Sequence, residues 1–206
     1  AAEALSADPA SSVLRADFLD ETTNVAARFR EISGQIASNA ADSERFIDTQ
    51  VNELNRQAEQ LGLINQQLSL KPNEAKQSPA LLDQRDALLR SMSELAKISV
   101  EFNEVGQASV SIGSSSDQNL LVTNNKVYSL SAVFDPNNAG NSVFAIDPLG
   151  ENRVISSPSG GTIAGALTFR SQVLQPTLAQ IDDLAETFAA EVNAAHQQGL
   201  DVNGAV

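Results

Sequence analysis

The spacing of apolar positions predicts a long helix in the first third of the chain. From Leu14 the apolar residues recur at intervals of three, four and seven, which places them on one stripe of a helix. An Asp8–Pro9 pair before them is a typical helix start, and the helix is predicted to run to about Ser69. Small and polar residues interrupt the stripe at 37–44, so that one continuous helix and two shorter ones both remain open. The stripe contains Leu14, Phe18, Val25, Phe29, Ile32, Ile36, Ile47, Val51, Leu54, Ala58, Leu61 and Leu68.

The KPNEAKQSP segment, residues 71–79, contains two prolines and is predicted to end the first helix; a second helix comes next. It is predicted to begin at Ser78 and Pro79 and to fold back on the first helix. From Ile98 the apolar period changes from three or four to two, which indicates strands. Segments rich in turn-forming residues separate these strands, which are predicted at 98–102, 108–112, 120–122, 126–130, 132–134, 142–146 and 153–155.

Helical spacing returns after the SPSGG segment and continues from Leu167 to Ala195, with a kink or a restart expected at Pro176. The predicted fold class is therefore α+β: an elongated antiparallel helical bundle with long helices and an inserted small antiparallel β module. The predicted domains are a discontinuous helical rod, residues 1–98 plus 162–206, and an inserted β domain, residues 99–161.

Composition narrows the classes of function. Hydrophobic residues make up 42% of the 206 residues, enough for a core, but aromatic residues only 4%, which disfavours a deep small-molecule pocket. The net charge of −13 repels phosphate backbones and anionic membrane surfaces, so neither nucleic acid nor membrane is an expected partner. The chain has no cysteine, begins without methionine and ends in the turn-like phrase DVNGAV, and we interpret it as part of a longer protein.

Candidate catalytic chemistry is sparse. His196 is the single histidine, so that a histidine metal site has no second member. The neighbouring carboxylates lack the distinct environments that acid–base catalysis requires, and we interpret them as solvated faces. No catalytic site, cofactor or metal is predicted, and the protein is expected not to be an enzyme. The carboxylate pairs are Asp83 with Asp86, Glu101 with Glu104, and Asp182 with Asp183.

Two arginines lie within or beside apolar stripes, Arg85 in LLDQRDALL and Arg170 in ALTFRSQVL. A buried guanidinium requires carboxylates or backbone carbonyls around it. We favour a role in bridging helices within the bundle, and contact with a neighbouring protein chain is the alternative.

The segment LLDQRDALLRSMSELAKISV, residues 81–100, resembles the signature region of the bacterial flagellar hook-associated protein 1 family. Two further segments resemble the same family in the same order: ALSADPASSVLRADFLDETTNVAARFREIS near the start and LTFRSQVLQPTLAQIDDLAETFAAEVNAAHQQGLDVNG near the end. The combination of LLDQRD with LTFRSQ is the most specific part. The candidate family-motif or helix-bridging residues are Leu81, Leu82, Asp83, Gln84, Arg85, Asp86, Leu167, Thr168, Phe169 and Arg170.

The resemblance implies a structural subunit of the junction between hook and filament, exported by the flagellar type III apparatus without a cleaved signal. Its implied partners are copies of itself in a ring, the hook protein and the adjacent hook-associated protein. The family's terminal assembly segments are missing, so the chain alone is expected to be largely monomeric. The alternatives are another axial protein such as flagellin, a secreted coiled-coil adhesin, which an exposed apolar patch on the sheet would favour, and a secreted enzyme such as a glycan hydrolase, which would need a cleft.

Overall fold

The predicted α+β class, with long helices and an inserted antiparallel β module, is confirmed. The computed structural model describes residues 1–71, 73–113, 119–135, 138–147, 153–155 and 157–197. The helices are α1 Ala2–Ala7, α2 Ser12–Leu68, α3 Pro79–Leu95, α4 Gly161–Phe169 and α5 Gln175–Gln197, with a 3₁₀ turn at Glu74–Lys76 and a π-helical segment at Arg170–Leu174. The strands are β1 Ile98–Phe102, β2 Ala108–Ile112, β3 Leu120–Thr123, β4 Lys126–Val127, β5 Ser129–Asp135, β6 Asn138–Asp147 and β7 Arg153–Ile155.

Helix α2 is continuous over 57 residues, which resolves the open question at 37–44. The side chain of Gln35 donates to Asn39 at 3.3 Å, and Arg45 pairs with Asp42, so polar contacts one turn apart support the segment. Ser43 is only 9% exposed and occupies the place of an apolar residue on the stripe. The small residues of this segment therefore narrow the stripe without breaking the helix.

The predicted start of the long helix at Asp8 is wrong. Asp8 instead ends α1 in a non-helical conformation, with φ of −140° and ψ of 80°, and α2 begins at Ser12. The hydroxyl oxygen of Ser11 accepts the N–H of Leu14 at 3.4 Å and supplies the cap that Asp8 was expected to provide. Pro9 explains why α1 ends at Ala7, because its ring disfavours helical geometry at the residue before it.

The irregularity expected at Pro176 takes the form of a widened turn just before it. Residues Arg170–Leu174 form a π-helical segment that joins α4 directly to α5. Pro176 lacks an N–H to donate to the carbonyl four residues earlier, and its ring crowds that carbonyl. A π turn is one of the irregularities at which helices bend, and here it lies directly before the proline.

The strands form two antiparallel sheets, one in the order β1-β2-β3-β4 and one in the order β5-β6-β7. The predicted single strand at 126–130 is therefore wrong: Tyr128 separates β4 in the first sheet from β5 in the second. The N–H of Tyr128 donates to the carbonyl of Leu121 at 2.9 Å, which holds the crossing point against β3. The segment predicted separately at 132–134 belongs to β5.

The chain divides into two compact units, Ala1–Asn39 with Leu174–Val206, and Ala40–Val173. These two units are defined by contacts in space, whereas the predicted rod and β domains were defined by secondary structure. The division into a rod and a β domain stays a prediction. In the first unit the rings of Phe29 and Phe188 lie 6.1 Å apart, and Ile36 is 9% exposed. Ile32 was predicted on the stripe but is 43% exposed, whereas the neighbouring Ser33 is half-buried.

The second unit contains one apolar core built from α2, α3, α4 and both sheets. The hydrophobic members of α2 that were predicted on the stripe from Ile47 to Leu68 are all buried, and all but Leu68 belong to this core. Met92 of α3, Phe144 of β6 and Ile163 of α4 are 0% exposed and reach the same core. The core consists of Ile47, Val51, Leu54, Ala58, Leu61, Leu89, Met92, Leu95, Ala96, Ala108, Val110, Ile112, Leu121, Val122, Leu130, Phe144 and Ile163.

Gly62 permits the close approach of β4 to α2 and gives a first prediction. A Cβ at Gly62 would lie 2.6 Å from Cγ2 of Val127, a stiff β-branched side chain. Replacing Gly62 with alanine is expected to lower the free energy of unfolding by about 1–3 kcal/mol, as overpacking does. Chemical denaturation followed by circular dichroism measures the change.

Gly34 in the same helix is the matched control, because a Cβ there would meet nothing within 4 Å. Alanine at Gly34 is expected to raise the free energy of unfolding by about 0.5–1 kcal/mol, the usual gain in a helix interior. Adding Val127→Ala to Gly62→Ala is expected to recover part of the loss. Equal effects at the two glycines would contradict the predicted clash.

Candidate functional site

The ten predicted site residues lie at the beginning of α3 and around the end of α4. Among the first six, Arg85 is 6% exposed, Leu81 and Leu82 are half-buried, and Asp83, Gln84 and Asp86 are exposed. Among the last four, Arg170 is 2% exposed and Leu167 packs against the core, while Thr168 and Phe169 face outward. The structure thus places two guanidinium groups inside the protein, and the common function of the ten residues stays a prediction.

The Arg85 cluster consists of Arg85, Glu74, Asp86, Phe102 and Gly106. A terminal nitrogen of Arg85 donates to the carbonyl oxygen of Gly106 at 2.6 Å and lies 3.3 Å from a carboxylate oxygen of Glu74. Its Nε donates to Asp86 at 2.8 Å, and its guanidinium carbon lies 4.4 Å from the ring centroid of Phe102. The two carboxylates are half-exposed, so solvent shares in neutralising the charge.

The turn between β1 and β2 is shaped to present its carbonyl to Arg85. Gly106 has φ of +83°, and a Cβ there would lie 3.2 Å from Cγ of Glu74 and 3.3 Å from a guanidinium nitrogen of Arg85. The side-chain oxygen of Asn103 accepts the N–H groups of Val105 and Gln107 at 3.2 and 3.0 Å. Arg85 therefore fastens the tip of this hairpin to α3 and to the 3₁₀ turn.

The Arg170 cluster consists of Arg170, Ala40, Glu44 and Phe134. One guanidinium nitrogen of Arg170 donates to the carbonyl of Ala40 at 2.8 Å, and the other lies 2.9 Å from a carboxylate oxygen of Glu44. The guanidinium carbon lies 4.9 Å from the ring centroid of Phe134 in β5. The cluster joins the π-helical segment, α2 and the second sheet.

Two asparagines of α2 that sequence reasoning missed also hold strands. Asn55 is paired with the backbone of Leu130 in β5, and Asn65 with the backbone of Ala108 in β2. The signal for Asn65 was present, because it lies four residues after Leu61 and three before Leu68, on the apolar stripe. A polar residue at such a position requires buried hydrogen-bond partners. Asn55 lies beside the stripe and carried no comparable signal.

The carboxylates of the described residues are mainly solvent-facing, and Glu53 shows the clearest electrostatic effect. Hydrogen bonds from Arg56 and then from Gln57 lower the pKa of Glu53. Gln57 is 7% exposed and donates to Glu53 at 2.7 Å and to Ser91 of α3 at 2.9 Å. The predicted solvated pairs are exposed at all six positions, as is His196.

Two shallow grooves lie beside Leu63 in the second unit. The larger, about 500 Å³, lies between α2 and α3 and is lined by Gln60, Leu63, Ile64, Gln84, Ala87 and Leu88. Two amides and four apolar side chains offer neither a nucleophile nor an acid–base pair. Within the described part of the chain, no three histidine or carboxylate side chains come together as a metal site, and no helix has the length and apolarity to cross a membrane.

Comparison with known proteins identifies the family of the chain. The family model described as "Flagellar hook-associated protein FlgK helical domain" matches residues 1–206. The chain belongs to this family. The resemblance predicted from LLDQRD and LTFRSQ is confirmed, and both arginine clusters lie within the matched FlgK helical domain.

Relatives and a solved structure agree with the assignment to the FlgK family. Flagellar hook-associated protein 1 of Escherichia coli (strain K12) is 32% identical over 165 residues, 77% of this chain and 29% of the relative. The Bacillus subtilis (strain 168) protein of the same name is 25% identical over 202 residues, 87% of this chain and 40% of the relative. The structure of the flagellar hook junction protein FlgK from Burkholderia pseudomallei superimposes with a TM-score of 0.84 at 25% identity, over 98% of this chain and 37% of that one. The chain thus spans well under half of each of these FlgK proteins.

Proposed function

We propose that this chain is a structural part of a subunit at the junction between the flagellar hook and filament, and that it performs no catalysis. The observation that carries the proposal is the family match to the FlgK helical domain over the whole chain. The solved relative from Burkholderia pseudomallei is itself described as a flagellar hook junction protein. The amide and apolar lining of the groove between α2 and α3 supports a mechanical role over an enzymatic one.

The proposed partners follow from an axial role. Within the longer protein, copies of the subunit form a closed ring, and the ring contacts the hook protein and an adjacent hook-associated protein. A ring supplies avidity to contacts that are individually weak. The net charge of −13 keeps copies of this chain apart in solution, so the chain alone is proposed to be monomeric. Export through the flagellar type III apparatus would place the subunit outside the cell.

The internal contacts suit a part that bears load. The second unit ties each sheet to helices through Arg85, Arg170, Asn55 and Asn65, in addition to its apolar core. Directional hydrogen bonds restrict sliding between elements more than apolar contact does. A subunit that joins the hook to the filament needs such resistance to deformation.

Complementation of a strain that lacks the gene for the longer parent protein tests the proposal. The parent gene would carry either Ala87→Pro or Ala87→Ser. Ala87 is an exposed residue inside α3, so that proline interrupts the helix there and serine does not. We expect Ala87→Ser to restore attached filaments and Ala87→Pro to lose most of them, as counted by electron microscopy. Measuring the exported parent protein separates failed export from failed attachment. Normal filaments in cells without the parent gene would contradict a junction role.

A second candidate, a binding surface, is favoured by the outer face of the second sheet. Val133 of β5 and Val154 of β7 are 63% and 69% exposed. They share a face, because Val133 pairs with Val143 and Val154 with Ala145 on the intervening strand. In the complementation strain, a parent gene with Val133→Thr and Val154→Thr is expected to leave filaments intact, whether or not this face binds a partner. Loss of cell attachment to surfaces in that strain would favour an additional binding role.

A further inference from the structure

Two asparagines of α2 bind strand residues in the way that a neighbouring strand would. Asn55 Nδ2 donates to the carbonyl of Leu130 at 2.8 Å, and the N–H of Leu130 donates to Asn55 Oδ1 at 2.8 Å. Asn65 Nδ2 donates to the carbonyl of Ala108 at 2.8 Å, and the N–H of Ala108 donates to Asn65 Oδ1 at 3.0 Å. Each side-chain amide therefore satisfies both backbone groups of one strand residue.

The contact at Asn65 is reinforced by two further hydrogen bonds. Its Nδ2 also donates to the carbonyl of Asn124 in the turn between β3 and β4. Its own backbone carbonyl accepts Gln107 Nε2 at 2.8 Å. Asn65 and Ala108 are both 0% exposed, so water cannot replace these bonds without opening the core.

The two contacts hold different sheets at different heights on one helix. Ala108 begins β2 of the first sheet, and Leu130 lies in β5 of the second. Ten residues separate Asn55 from Asn65, which corresponds to about 15 Å along the helix axis. The two amides together therefore define where each sheet lies along α2.

Apolar packing alone does not fix such a position firmly. The core contacts between α2 and the sheets are non-directional, so a small movement along the helix changes the apolar area that they bury only gradually. A hydrogen bond loses most of its strength when its angle or length departs from a narrow range. Displacement of a sheet along α2 would thus break the amide contacts before it removes much apolar burial.

We propose that Asn55 and Asn65 are mechanical clamps that fix the axial register of the two sheets on α2 and carry shear load between helix and strands. The inference rests on the proposed function, because only an axial structural protein is expected to bear such load. It goes beyond that function by assigning the load path to two side chains.

Single-molecule force measurements on the 206-residue chain test the clamp at Asn65. The chain has no cysteine, so Asp48→Cys on α2 and Glu104→Cys in the hairpin turn create two unique handles. Gln77 links the turn to the end of α2, because its Nε2 donates to the carbonyls of both Leu68 and Val105. Pulling between the handles therefore shears the first sheet along α2.

The expected result is a loss of rupture force in Asn65→Ala that exceeds the loss in a stability-matched core variant. Leu61→Ala is that control, since Leu61 is 0% exposed and lies one turn away on the same helix. The comparison is made at equal distance below each variant's melting temperature. Equal or smaller loss of force in Asn65→Ala than in Leu61→Ala would overturn the proposal.

Asn55→Ala keeps the test decisive if Asn65→Ala fails to fold, because Asn55 is half-buried and holds one strand residue. Handles at Gln67 and Val133 then load the second sheet, and the same comparison with Leu61→Ala applies. A force loss beyond that of the control supports the clamps, and its absence overturns them. Neither result depends on filaments, so failure of the clamps and failure of the junction role are distinguishable.

Discussion

Replacing Gly161 with alanine is expected to lower the free energy of unfolding by at least about 3 kcal/mol. Gly161 has φ of +69°, a conformation that costs a residue with a Cβ. That Cβ would also lie 2.5 and 2.6 Å from the carbonyl carbon and oxygen of Leu95, and 2.7 Å from the nitrogen of Ala96. These are backbone atoms at the end of α3, so no side-chain rotation relieves the overlap.

The close approach at Gly161 belongs to a docked joint between the end of α3 and the start of α4. The N–H of Lys97 donates to the carbonyl of Ser159 at 2.7 Å, and the hydroxyl of Thr162 donates to the carbonyl of Glu94 at 3.0 Å. Ile163 follows at once and is fully buried. Pushing Gly161 outward would therefore break both hydrogen bonds and withdraw Ile163 from the core.

Gly113 is the matched control for this prediction. Its φ is +77°, but a Cβ there would meet nothing within 4 Å. Gly113→Ala is expected to cost only about 1 kcal/mol, the conformational part of the penalty. Denaturant unfolding followed by circular dichroism measures both variants. A cost at Gly161 no larger than that at Gly113 would mean that the joint is looser than the structure indicates.

Period and spacing predicted the elements well where one face of an element is buried. The stripe from Ile47 to Leu68 identified the inner face of α2, and the change of period after Lys97 identified β1 and β2. Both signals survive because burial on one face selects apolar residues at the repeat of the element. Helix α3 begins at Pro79 as predicted, for a different and local reason: a proline fits the first turn of a helix.

The errors arose where tertiary contacts decide between local alternatives. Asp8 and Ser11 are both good cap residues, and local sequence alone does not decide which of them begins the long helix. The crossing of Tyr128 from one sheet to the other is invisible to period-two spacing, because the alternation continues through it. Asn65 was omitted from the stripe since its partners lie 43 and 59 residues away in sequence.

For the two arginines, burial could be predicted from the sequence, but their hydrogen-bond partners could not. Their position beside apolar stripes was enough to predict burial and a need for acceptors. The acceptors themselves come from distant segments: Gly106 for Arg85, and Ala40, 130 residues away, for Arg170. The aromatic rings that both guanidinium groups cover, Phe102 and Phe134, had been assigned only as strand residues.

Arg170→Ala is the second substitution with a large expected effect, a loss of about 3 kcal/mol of unfolding free energy. Arg170 is 2% exposed, so truncation leaves a cavity between the π-helical segment, α2 and β5. It also removes the hydrogen bond to Ala40, the ion pair with Glu44 and the stacking on Phe134. Glu44 remains about one-third exposed and can be solvated, which limits the loss from the unpaired carboxylate.

Arg45→Ala is the matched control, because it removes an arginine from an ion pair on the surface of α2 without removing buried contacts. Arg45 pairs with Asp42 on the surface, and its side chain is 73% exposed. Its removal is expected to cost less than about 0.5 kcal/mol and to depend on salt, since exposed pairs are weak and screened. The loss at Arg170 should persist in high salt, because most of it comes from packing and buried hydrogen bonds. Comparable losses in the two variants would show that Arg170 does not hold the π-helical segment to α2 and β5.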